Sequence, residues 1–275
     1  MTTIIKLGGS LLDDVNRRAE ALANVVARWN AGEEVVLVHG GGKHVDAALA
    51  KLGIARKTHA GLRITDDATL DVVVSVLGGT VNKMLVAELS ALGIRAAGIS
   101  GADASTLVAE PHPPVDGVEL GHVGLVTKSH KTLIRAMLNY GILPVISSVA
   151  QGPNGTLLNV NADAAACAIA AAMEAHTLNF ITDVDGLLDA EKNVVPVVTP
   201  ADAHSLLAQN VISGGMRPKI TAALEAMNAG VAKVVIGATH IARGKAERPT
   251  TDHHTDNGQL TTDNAVAKEH ANVAA

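Results

Sequence analysis

The sequence predicts an α/β protein built on a largely parallel β-sheet, and three observations support this class. Residues 35–38 form a continuous apolar run rich in β-branched side chains, as expected of a strand covered on both faces. Apolar residues at helical spacing follow at Val45, Ala48 and Leu49. A glycine turn lies between them, and the same strand, turn and helix order recurs along the chain. This alternation is typical of parallel sheets with crossover helices.

The other elements follow from the same two patterns, with glycines marking several helix ends. Residues 51–65 are basic and irregular, and residues 105–128 contain prolines and alternating segments that predict hairpins projecting as a lid or rim. Past His240 the periodicity is lost, which predicts a polar, mostly disordered tail. Strands are predicted at 3–7, 35–38, 95–99, 142–150, 178–182 and 234–236, and helices at 19–27, 45–52, 65–77, 81–92, 129–140, 164–173 and 201–209, with a last helix ending at Gly230.

Composition excludes several classes of function. The net charge of -5 and the presence of only three aromatics (Trp29, Tyr140 and Phe180) argue against nucleic acid binding, which needs basic residues and stacking surfaces. The single Cys167 cannot form an intrachain disulfide, which suits a reducing compartment. No signal peptide is visible, and the apolar helical run at 164–173 has about half the length that spans a bilayer. We therefore expect a cytoplasmic protein without a membrane segment.

Two glycine turns are predicted at one edge of the sheet. Gly8 and Gly9 follow Lys6 at the end of the first strand, and Gly41 and Gly42 follow the strand at 35–38. Because the carboxyl ends of parallel strands meet at one edge, both turns should lie where such sheets bind ligands. Glycine N–H groups at a helix start can bind a phosphate or a carboxylate. Taken alone, each motif fits a simple tight turn equally well.

Polar side chains ahead of the alanine-rich helix are the next candidates. Asn159, Asn161 and Asp163 alternate along an extended segment, so they should share one face. Helix capping explains one of them but not all three, which favours a role in ligand binding. Arg63 precedes a helix cap and is either a surface charge or a fork that holds a ligand carboxylate.

Lysines near glycine pairs point to phosphoryl transfer. Gly214 and Gly215 precede Lys219, much as Lys6 adjoins the first glycine pair. A transferring phosphoryl group needs N–H groups and cations that stabilise its charge. The P-loop, the dinucleotide-binding GxGxxG and the protein-kinase signatures are absent from the sequence. A nucleotide would therefore be held in another way.

The sequence does not predict a dedicated metal site. Asp183, Asp185 and Gly186 form an acidic loop, but the terminal Glu of a calcium-binding loop is missing. His112 and His122 do not predict a zinc site, because the chain has only one cysteine and this stretch contains no closely spaced pair of histidines.

Seven ordered motifs resemble the amino acid kinase family. The resemblance extends from about residue 2 to residue 240. It rests on KLGGSLL at Lys6, VVLVHGGG at Gly40 to Gly42, GLRITD at Arg63, ELGHVGL at Glu119, LNVNADAAA at Asn159, TDVDGLL at Asp183 and GGMRPKI at Lys219.

The resemblance implies a three-layer α-β-α sandwich around a largely parallel sheet. It implies an amino-terminal lobe at residues 1–175 that binds an acyl amino acid and an ATP-binding lobe at 176–245. The tail at 246–275 is predicted from its lost periodicity and not from the resemblance. The implied activity is ATP-dependent phosphorylation of the side-chain carboxylate of N-acetyl-L-glutamate, the second step of arginine biosynthesis. Magnesium would arrive with ATP rather than in a protein cage.

The resemblance also implies residue roles. Lys6 and Lys219 would stabilise the transition state, and Asp163 would organise both lysines. The acceptor would be bound by Gly41, Gly42, Arg63, Asn159 and Asn161. ATP would be bound by Gly8, Gly9, Asp183, Asp185, Gly186, Gly214, Gly215 and Met216.

Departures from the family pattern leave several functions open. The short glycine-threonine strand near the carboxyl terminus is replaced by a Thr/His/Asp-rich tail, which leaves that sheet edge undefined. The chain begins almost at its first strand, without the extra helix of arginine-inhibited members, so we expect an arginine-insensitive homodimer. The acceptor could instead be carbamate, glutamate, aspartate or a carrier-linked aminoadipate. A non-catalytic binding module and, more distantly, a dinucleotide-dependent oxidoreductase also stay open.

Overall fold

The computed structural model describes residues 1–182, 185–188, 193–209, 212 and 216–242, apart from the side chains of Ser10 and Pro218. The predictions for Asp183, Gly214, Gly215 and the tail at 246–275 lie outside the described residues.

Fourteen strands and nine α-helices are present in the described part of the chain. The strands are β1 (Thr2–Leu7), β2 (Glu34–His39), β3 (Thr58–His59), β4 (Leu62–Arg63), β5 (Ala96–Ser100), β6 (Leu107–Pro111), β7 (Val123–Ser129), β8 (Leu143–Ser147), β9 (Val149–Gln151), β10 (Leu157–Val160), β11 (Thr177–Ile181), β12 (Val197–Val198), β13 (Lys233–Ile236) and β14 (Thr239–Ala242). The helices are α1 (Gly9–Asp13), α2 (Val15–Asn30), α3 (Gly42–Lys51), α4 (Asp67–Val74), α5 (Asn82–Ala91), α6 (Thr132–Asn139), α7 (Ala162–Ala172), α8 (Pro200–Ala208) and α9 (Met216–Asn228).

An eight-stranded sheet, in the order β12-β14-β13-β11-β1-β2-β8-β5, forms the centre of the fold. The six strands from β13 to β5 are parallel, and they are the six strands that the sequence predicts. The β14 strand runs antiparallel to β13 and pairs in parallel with β12. In β1 and β2, Lys6 pairs with Val38 and Leu7 pairs with His39, so both strands end at the same edge.

Apolar side chains on both faces of this sheet explain its helical layers. Ile4 and Ile5 are both fully buried, but they point to opposite faces because side chains alternate along a strand. Ile4 belongs to a core cluster with side chains of α7, α8 and α9. Ile5 belongs to a second cluster with side chains of α1 to α5. The predicted three-layer α-β-α sandwich is confirmed.

The segment at 105–128 was expected to project as hairpins. β6 and β7 do pair in an antiparallel way, but with β9 and β10 they close into a four-stranded barrel. The first core cluster includes four side chains of this barrel, namely Leu107, Ala109, Leu158 and Val160. The barrel is therefore part of the packed core, because its alternating apolar positions face that cluster.

Two short elements differ from the sequence-based expectation. The irregular segment at 51–65 contains the β3–β4 hairpin, and the strand β14 continues past His240. The prediction that strand structure ends at His240 is therefore wrong for the two residues that follow it. Such short strands depend on pairing with a distant or adjacent strand, which periodicity does not reveal. The described residues of both predicted lobes share one sheet, so the division at residue 175 stays a prediction.

A π-helical segment, Ser75–Val81, joins α4 to α5. The continuous run Asp67–Ala91 is long and apolar enough to cross a membrane by length and composition alone. Val73, Leu77 and Leu85 of this run are nonetheless buried in the second core cluster. A core helix has the same composition, so this single run is weak evidence for a membrane span.

Candidate active site at the carboxyl edge of the sheet

A cavity of about 220 Å³ lies where β1, β2 and β10 end. It brings together eight residues that the sequence singles out, although they come from four separate parts of the chain. Its lining consists of Lys6, Gly9, Gly40, Gly41, Gly42, Val45, Arg63, Val73, Leu77, Ser148, Asn159, Val160, Asn161, Ala162 and Asp163.

The glycine turn after β2 forms one wall of this cavity. Gly41 has a φ of +155°, and a Cβ there would lie only 2.9 Å from Leu77 Cδ2. Gly42 begins α3, whose first N–H groups have no partner within the helix. A Cβ on Gly9 would lie 3.8 Å from the Gly42 nitrogen, so the two predicted glycine turns are neighbours. This wall can therefore offer backbone donors to an anion.

Gly8 has a different environment from the one expected. Its N–H donates to the Ile181 carbonyl at 2.9 Å, and a Cβ would lie 3.1 Å from the same oxygen. In this structure the Gly8 N–H is therefore already paired with the end of β11. The lack of a side chain allows the turn to lie close to β11, and an ATP-binding role for Gly8 stays a prediction.

Lys6 and Asp163 line the cavity, and Lys219 pairs with Asp163; we call these three residues the lysine–aspartate triad. Lys6 Nζ lies 2.7 Å from Asp163 Oδ1, and Lys219 Nζ lies 3.3 Å from Asp163 Oδ2. All three side chains are at most 16% exposed. One carboxylate thus holds two ammonium groups, each on its own oxygen. The strand β1 and the helices α7 and α9 supply the three residues.

The electrostatic balance keeps Asp163 ionised. Burial would raise its pKa, but the charges and hydrogen bonds of Lys6 and Lys219 outweigh burial and lower the pKa below its usual value. Asp163 also lies in the first turn of α7, where the helix dipole favours a negative charge. The triad therefore carries a net positive charge in a partly desolvated position.

Asn161 caps the helix that carries Asp163. Its side chain accepts hydrogen bonds from the backbone nitrogens of Asp163 at 2.8 Å and Ala164 at 3.1 Å. These bonds make Asn161 the amino-terminal cap of α7. It is therefore the one residue among Asn159, Asn161 and Asp163 whose place is explained by helix capping. Asn161 also lines the cavity, and its contact with a substrate stays a prediction.

Arg63 lies beside the glycine turn and is held by its neighbours. Its Nη2 donates to the Gly42 carbonyl at 3.1 Å, and its Nη1 lies 2.5 Å from Asp46 Oδ1. The side chain is 13% exposed, which excludes a solvated surface charge. Asp46, on α3, was not recognised from the sequence as part of the site, because a lone acidic residue on a helix carries no distinctive pattern.

Asn159 lies in β10 and faces the same space. Its Nδ2 donates to Thr65 Oγ1 at 3.2 Å. Apolar residues that complete the cavity, namely Val45, Val73 and Leu77, were likewise not predicted, since their periodicity marks them only as core positions.

A buried polar network lies behind the glycine turn. His39 is fully buried; one ring nitrogen lies 2.8 Å from the Gly40 carbonyl and the other 3.1 Å from Asn82 Nδ2. Burial is the largest influence on His39 and lowers its pKa to about 4, so the imidazole is neutral near pH 7. Asn82 Nδ2 also lies 3.3 Å from the Ile99 carbonyl and 3.0 Å from the Val145 carbonyl, so its two hydrogens are shared among three acceptors. The turn therefore rests on a neutral, hydrogen-bonded support.

The predicted nucleotide-binding residues are only partly described. Asp185 accepts a hydrogen bond through its carbonyl from the Ala238 nitrogen at 2.8 Å. Gly186 has a φ of +149°, and a Cβ there would lie 2.6 Å from Thr239 Oγ1. Both residues thus contact the turn before β14, while Met216 begins α9 and packs against the first core cluster. Their contact with ATP stays a prediction.

Metal-binding side chains are not clustered in the described part of the chain. No group of three or more His, Cys, Asp or Glu residues is positioned there to hold an ion. Asp163, the carboxylate at the cavity, is paired with two lysines and so has a different task.

Comparisons with known proteins agree with this geometry. A family model described as the amino acid kinase family matches residues 1–238. A protein of Solibacter usitatus named acetylglutamate kinase is 42% identical over 236 residues, which cover 86% of this chain and 90% of that protein. An acetylglutamate kinase of Methanopyrus kandleri is 42% identical over 239 residues, which cover 85% and 93%. A solved protein of Streptococcus mutans superposes with a TM-score of 0.77 at 28% identity, covering 88% of this chain and 99% of that one.

Proposed function

We propose a function from the premise that this chain belongs to the amino acid kinase family. The protein transfers the γ-phosphoryl group of ATP to the side-chain carboxylate of N-acetyl-L-glutamate and so catalyses the second step of arginine biosynthesis. The products are N-acetyl-γ-glutamyl phosphate and ADP. The observation that carries this proposal is the lysine–aspartate triad beside a glycine-lined cavity. The similarity to two proteins named acetylglutamate kinase supports the choice of acceptor.

The reaction needs no general base. A carboxylate is already ionised near pH 7, so its oxygen can attack the γ-phosphorus directly. The new O–P bond forms as the bond between the γ-phosphorus and the bridging oxygen breaks, and that oxygen leaves on ADP. The protein must therefore align two anions and offset their repulsion. Positioned cations and N–H groups are the means by which it can do so.

The triad supplies the cations. Lys6, on β1, would approach the phosphoryl group from the acceptor side, and Lys219, on α9, from the nucleotide side. Asp163 holds one ammonium group on each of its two oxygens. A single carboxylate therefore positions both lysine charges. Because the charge develops on the phosphoryl oxygens during transfer, these lysines would act mainly on the transition state.

The acceptor would be bound by four residues, which we call the acceptor site: Gly41, Gly42, Arg63 and Asn159. The α3 amino terminus and its glycine N–H groups suit a carboxylate. Arg63 and Asn159 would bind the α-carboxylate of N-acetylglutamate, and Asn161, which also lines the cavity, would assist. Val45, Val73 and Leu77 provide apolar contacts for the rest of the acceptor.

ATP would be bound by the remaining predicted residues. Within the described chain these are Gly8 and Gly9, in the turn after β1, and Asp185, Gly186 and Met216 near β14 and α9. Apart from the glycines of the first turn, the proposal assigns the acceptor to residues 1–175 and ATP to residues 176–245. A magnesium ion held by the phosphates of ATP would neutralise part of their charge.

Acyl phosphate trapping tests the proposed function. The purified protein is incubated with ATP, magnesium, hydroxylamine and one acceptor at a time, and hydroxamate and ADP are measured. We expect hydroxamate in proportion to ADP with N-acetylglutamate and little with glutamate or aspartate; carbamate is followed by ADP release. Preference for another acceptor would contradict the assignment of the substrate. Nucleotide binding without product from any acceptor would leave a non-catalytic binding module.

We also propose a cytoplasmic homodimer. β5 is an edge strand of the described sheet, and its sequence Ala96–Ser100 is apolar and half-buried. An unpaired edge of this kind is a natural place for a second copy to pair. Analytical ultracentrifugation should give twice the chain mass, and Ala97→Lys should shift the protein towards the monomer. A monomeric wild-type protein would contradict the proposal.

A further inference from the structure

Thr65 is a fully buried polar residue next to the cavity, and none of the roles above uses it. It lies between β4 and α4 and is 0% exposed. Its hydroxyl donates to the Arg63 carbonyl at 2.9 Å and accepts a hydrogen bond from Asn159 Nδ2 at 3.2 Å. One oxygen atom therefore contacts two of the four residues of the acceptor site.

The direction of these hydrogen bonds determines what Asn159 can offer to a ligand. A threonine hydroxyl has a single hydrogen, and here it is donated to the Arg63 carbonyl. Oγ1 can then only accept from Asn159, which requires the NH₂ end of the amide to face Thr65. The second hydrogen of that NH₂ group remains for another acceptor. A carboxylate only accepts hydrogen bonds, so an amide in this orientation suits it.

The backbone holds Thr65 in place from both sides. Its N–H donates to the Leu120 carbonyl at 3.0 Å, and its carbonyl accepts from the His122 nitrogen at 2.6 Å. The Asn159 nitrogen donates to the His122 carbonyl at 2.8 Å. Gly121 has a φ of +66°, and a Cβ there would overlap the Thr65 carbonyl oxygen. Residues 120–122 thus fix the distance between Thr65 and Asn159.

We propose that Thr65 is a positioning residue of the acceptor site. It keeps the Asn159 amide turned so that it donates to the acceptor carboxylate, and it anchors the backbone that carries Arg63. This role rests on the proposed function, because it assumes that Asn159 and Arg63 bind the acceptor. Thr65 acts through these two residues and does not itself line the cavity.

Three variants at this position test the proposal. Thr65→Val keeps the shape but removes the hydroxyl, and we expect the KM for the acceptor to rise about 10-fold, in the range of a hydrogen bond to a charged group. The KM for ATP should change less than about 2-fold, since Asn159 is proposed to contact the acceptor and not ATP. Thr65→Ser keeps the hydroxyl and should restore the acceptor KM to near the wild-type value. If Thr65→Val does not fold, Thr65→Ala takes its place.

A matched control separates positioning from stability. Thr106 is also 0% exposed, and its hydroxyl donates to the Asp103 carbonyl at 2.7 Å, outside the cavity. Thr106→Val should lower the melting temperature as Thr65→Val does, yet leave the acceptor KM unchanged. Equal changes of the acceptor and ATP KM in Thr65→Val, or the same KM change in Thr106→Val, would overturn the proposal.

A double-mutant cycle with Asn159→Ala provides the decisive measurement. If Thr65 acts mainly through Asn159, adding Thr65→Val to Asn159→Ala should raise the acceptor KM less than about 2-fold further. Fully additive effects would overturn the proposal. The proposed function is tested separately, by hydroxamate formation in the wild-type enzyme. If the wild type prefers a different carboxylate acceptor, the same cycle measured with that acceptor still decides the role of Thr65.

Discussion

The lysine–aspartate triad and the acceptor site share one cavity but are built from different kinds of group. The triad consists of three side-chain charges on β1, α7 and α9. The proposed acceptor site would use backbone N–H groups, one amide and one guanidinium, supported by neutral buried residues such as Thr65 and His39. Charges suit the transition state, in which negative charge moves, whereas fixed donors suit a carboxylate that is already charged when it binds. Damage to the triad should therefore lower kcat, and damage to the acceptor site should raise KM.

Removing a lysine of the triad should have the largest effect. We expect Lys6→Ala and Lys219→Ala each to lower kcat about 100- to 1,000-fold, as loss of a transition-state donor does, with smaller changes in either KM. The measurement is steady-state kinetics with both substrates varied. Lys43 directly follows the glycine turn, but its side chain is 66% exposed and its Nζ lies 3.5 Å from Asp13 Oδ2. Lys43→Ala is therefore the matched control and should keep kcat within about 2-fold of the wild-type value. A kcat that depended on Lys43 and not on Lys6 would break the comparison.

The neutral support of the glycine turn should make stability depend on pH. The pKa of His39 is about 4 in the folded protein against 6.5 for an ordinary histidine, because the ring is buried. Below pH 6.5 the unfolded chain takes up a proton that the folded protein does not, so this contribution to stability is lost as the pH falls from 6.5 towards 4. Between pH 7 and pH 5 the loss should be about 2 kcal/mol.

Urea unfolding of the wild type and of His39→Asn at both pH values checks this expectation. The asparagine can still donate to the Gly40 carbonyl but does not titrate, so the advantage of the wild type should shrink by about 2 kcal/mol at pH 5. A constant difference between the two proteins would mean that His39 is not a neutral support, and the contrast with the charged triad would fail.

A conservative change in the acceptor site should have a moderate effect. Arg63→Lys keeps the charge but loses the fork that spans the Gly42 carbonyl and Asp46. We expect the acceptor KM to rise about 10-fold, with kcat and the ATP KM nearly unchanged. Arg56 also pairs with Asp46 but is 59% exposed, so Arg56→Lys should alter none of these three constants. A fall in kcat without a change in acceptor KM would show that Arg63 stabilises the transition state, as we propose for the triad, and does not bind the acceptor.

The smallest effect is expected at Cys167, one turn after Asp163 on α7. Burial raises the pKa of its thiol to about 12, so the reactive thiolate is scarce at pH 8. An alkylating reagent should leave activity unchanged and modify the thiol only after unfolding, which mass spectrometry can follow. Rapid modification of the folded protein with loss of activity would show that this helix opens near the triad.

Much of the fold could be predicted from the sequence. The central strands β1, β2 and β8 are buried on both faces, so their apolar runs are readable in the sequence, whereas β5, β11 and β13 are only partly buried. The meeting of the two glycine turns follows from parallel pairing alone, since strands that run the same way end at one edge. The same rule places Lys6 near Gly41. The short strands β3, β4 and β14 could not be found in this way, because each mixes polar and apolar residues over two to four positions and contains no continuous apolar run.

The candidate site was predictable in its residues more than in its contacts. Lys6, Asp163 and Lys219 were recognised through a family resemblance, and the structure brings all three within ion-pair distance. Gly8 shows the limit of this approach. A glycine beside a phosphate-binding turn suggests a free N–H, yet the carbonyl of Ile181, from a strand far along the chain, accepts it. A sequence motif does not reveal which distant carbonyl will approach.

The sequence by itself determined the alternation of strands and helices, the two glycine turns and the kinds of group available for chemistry. These are local properties, set by side-chain size, branching and periodicity. Only the tertiary structure decided that Thr65 would join Arg63 to Asn159, that His39 would lie neutral behind the glycine turn, and that Asp46 would hold Arg63. The physical reason is that hydrogen bonds and ion pairs act over about 3 Å. Such contacts exist only once segments that are far apart in the chain have been packed together.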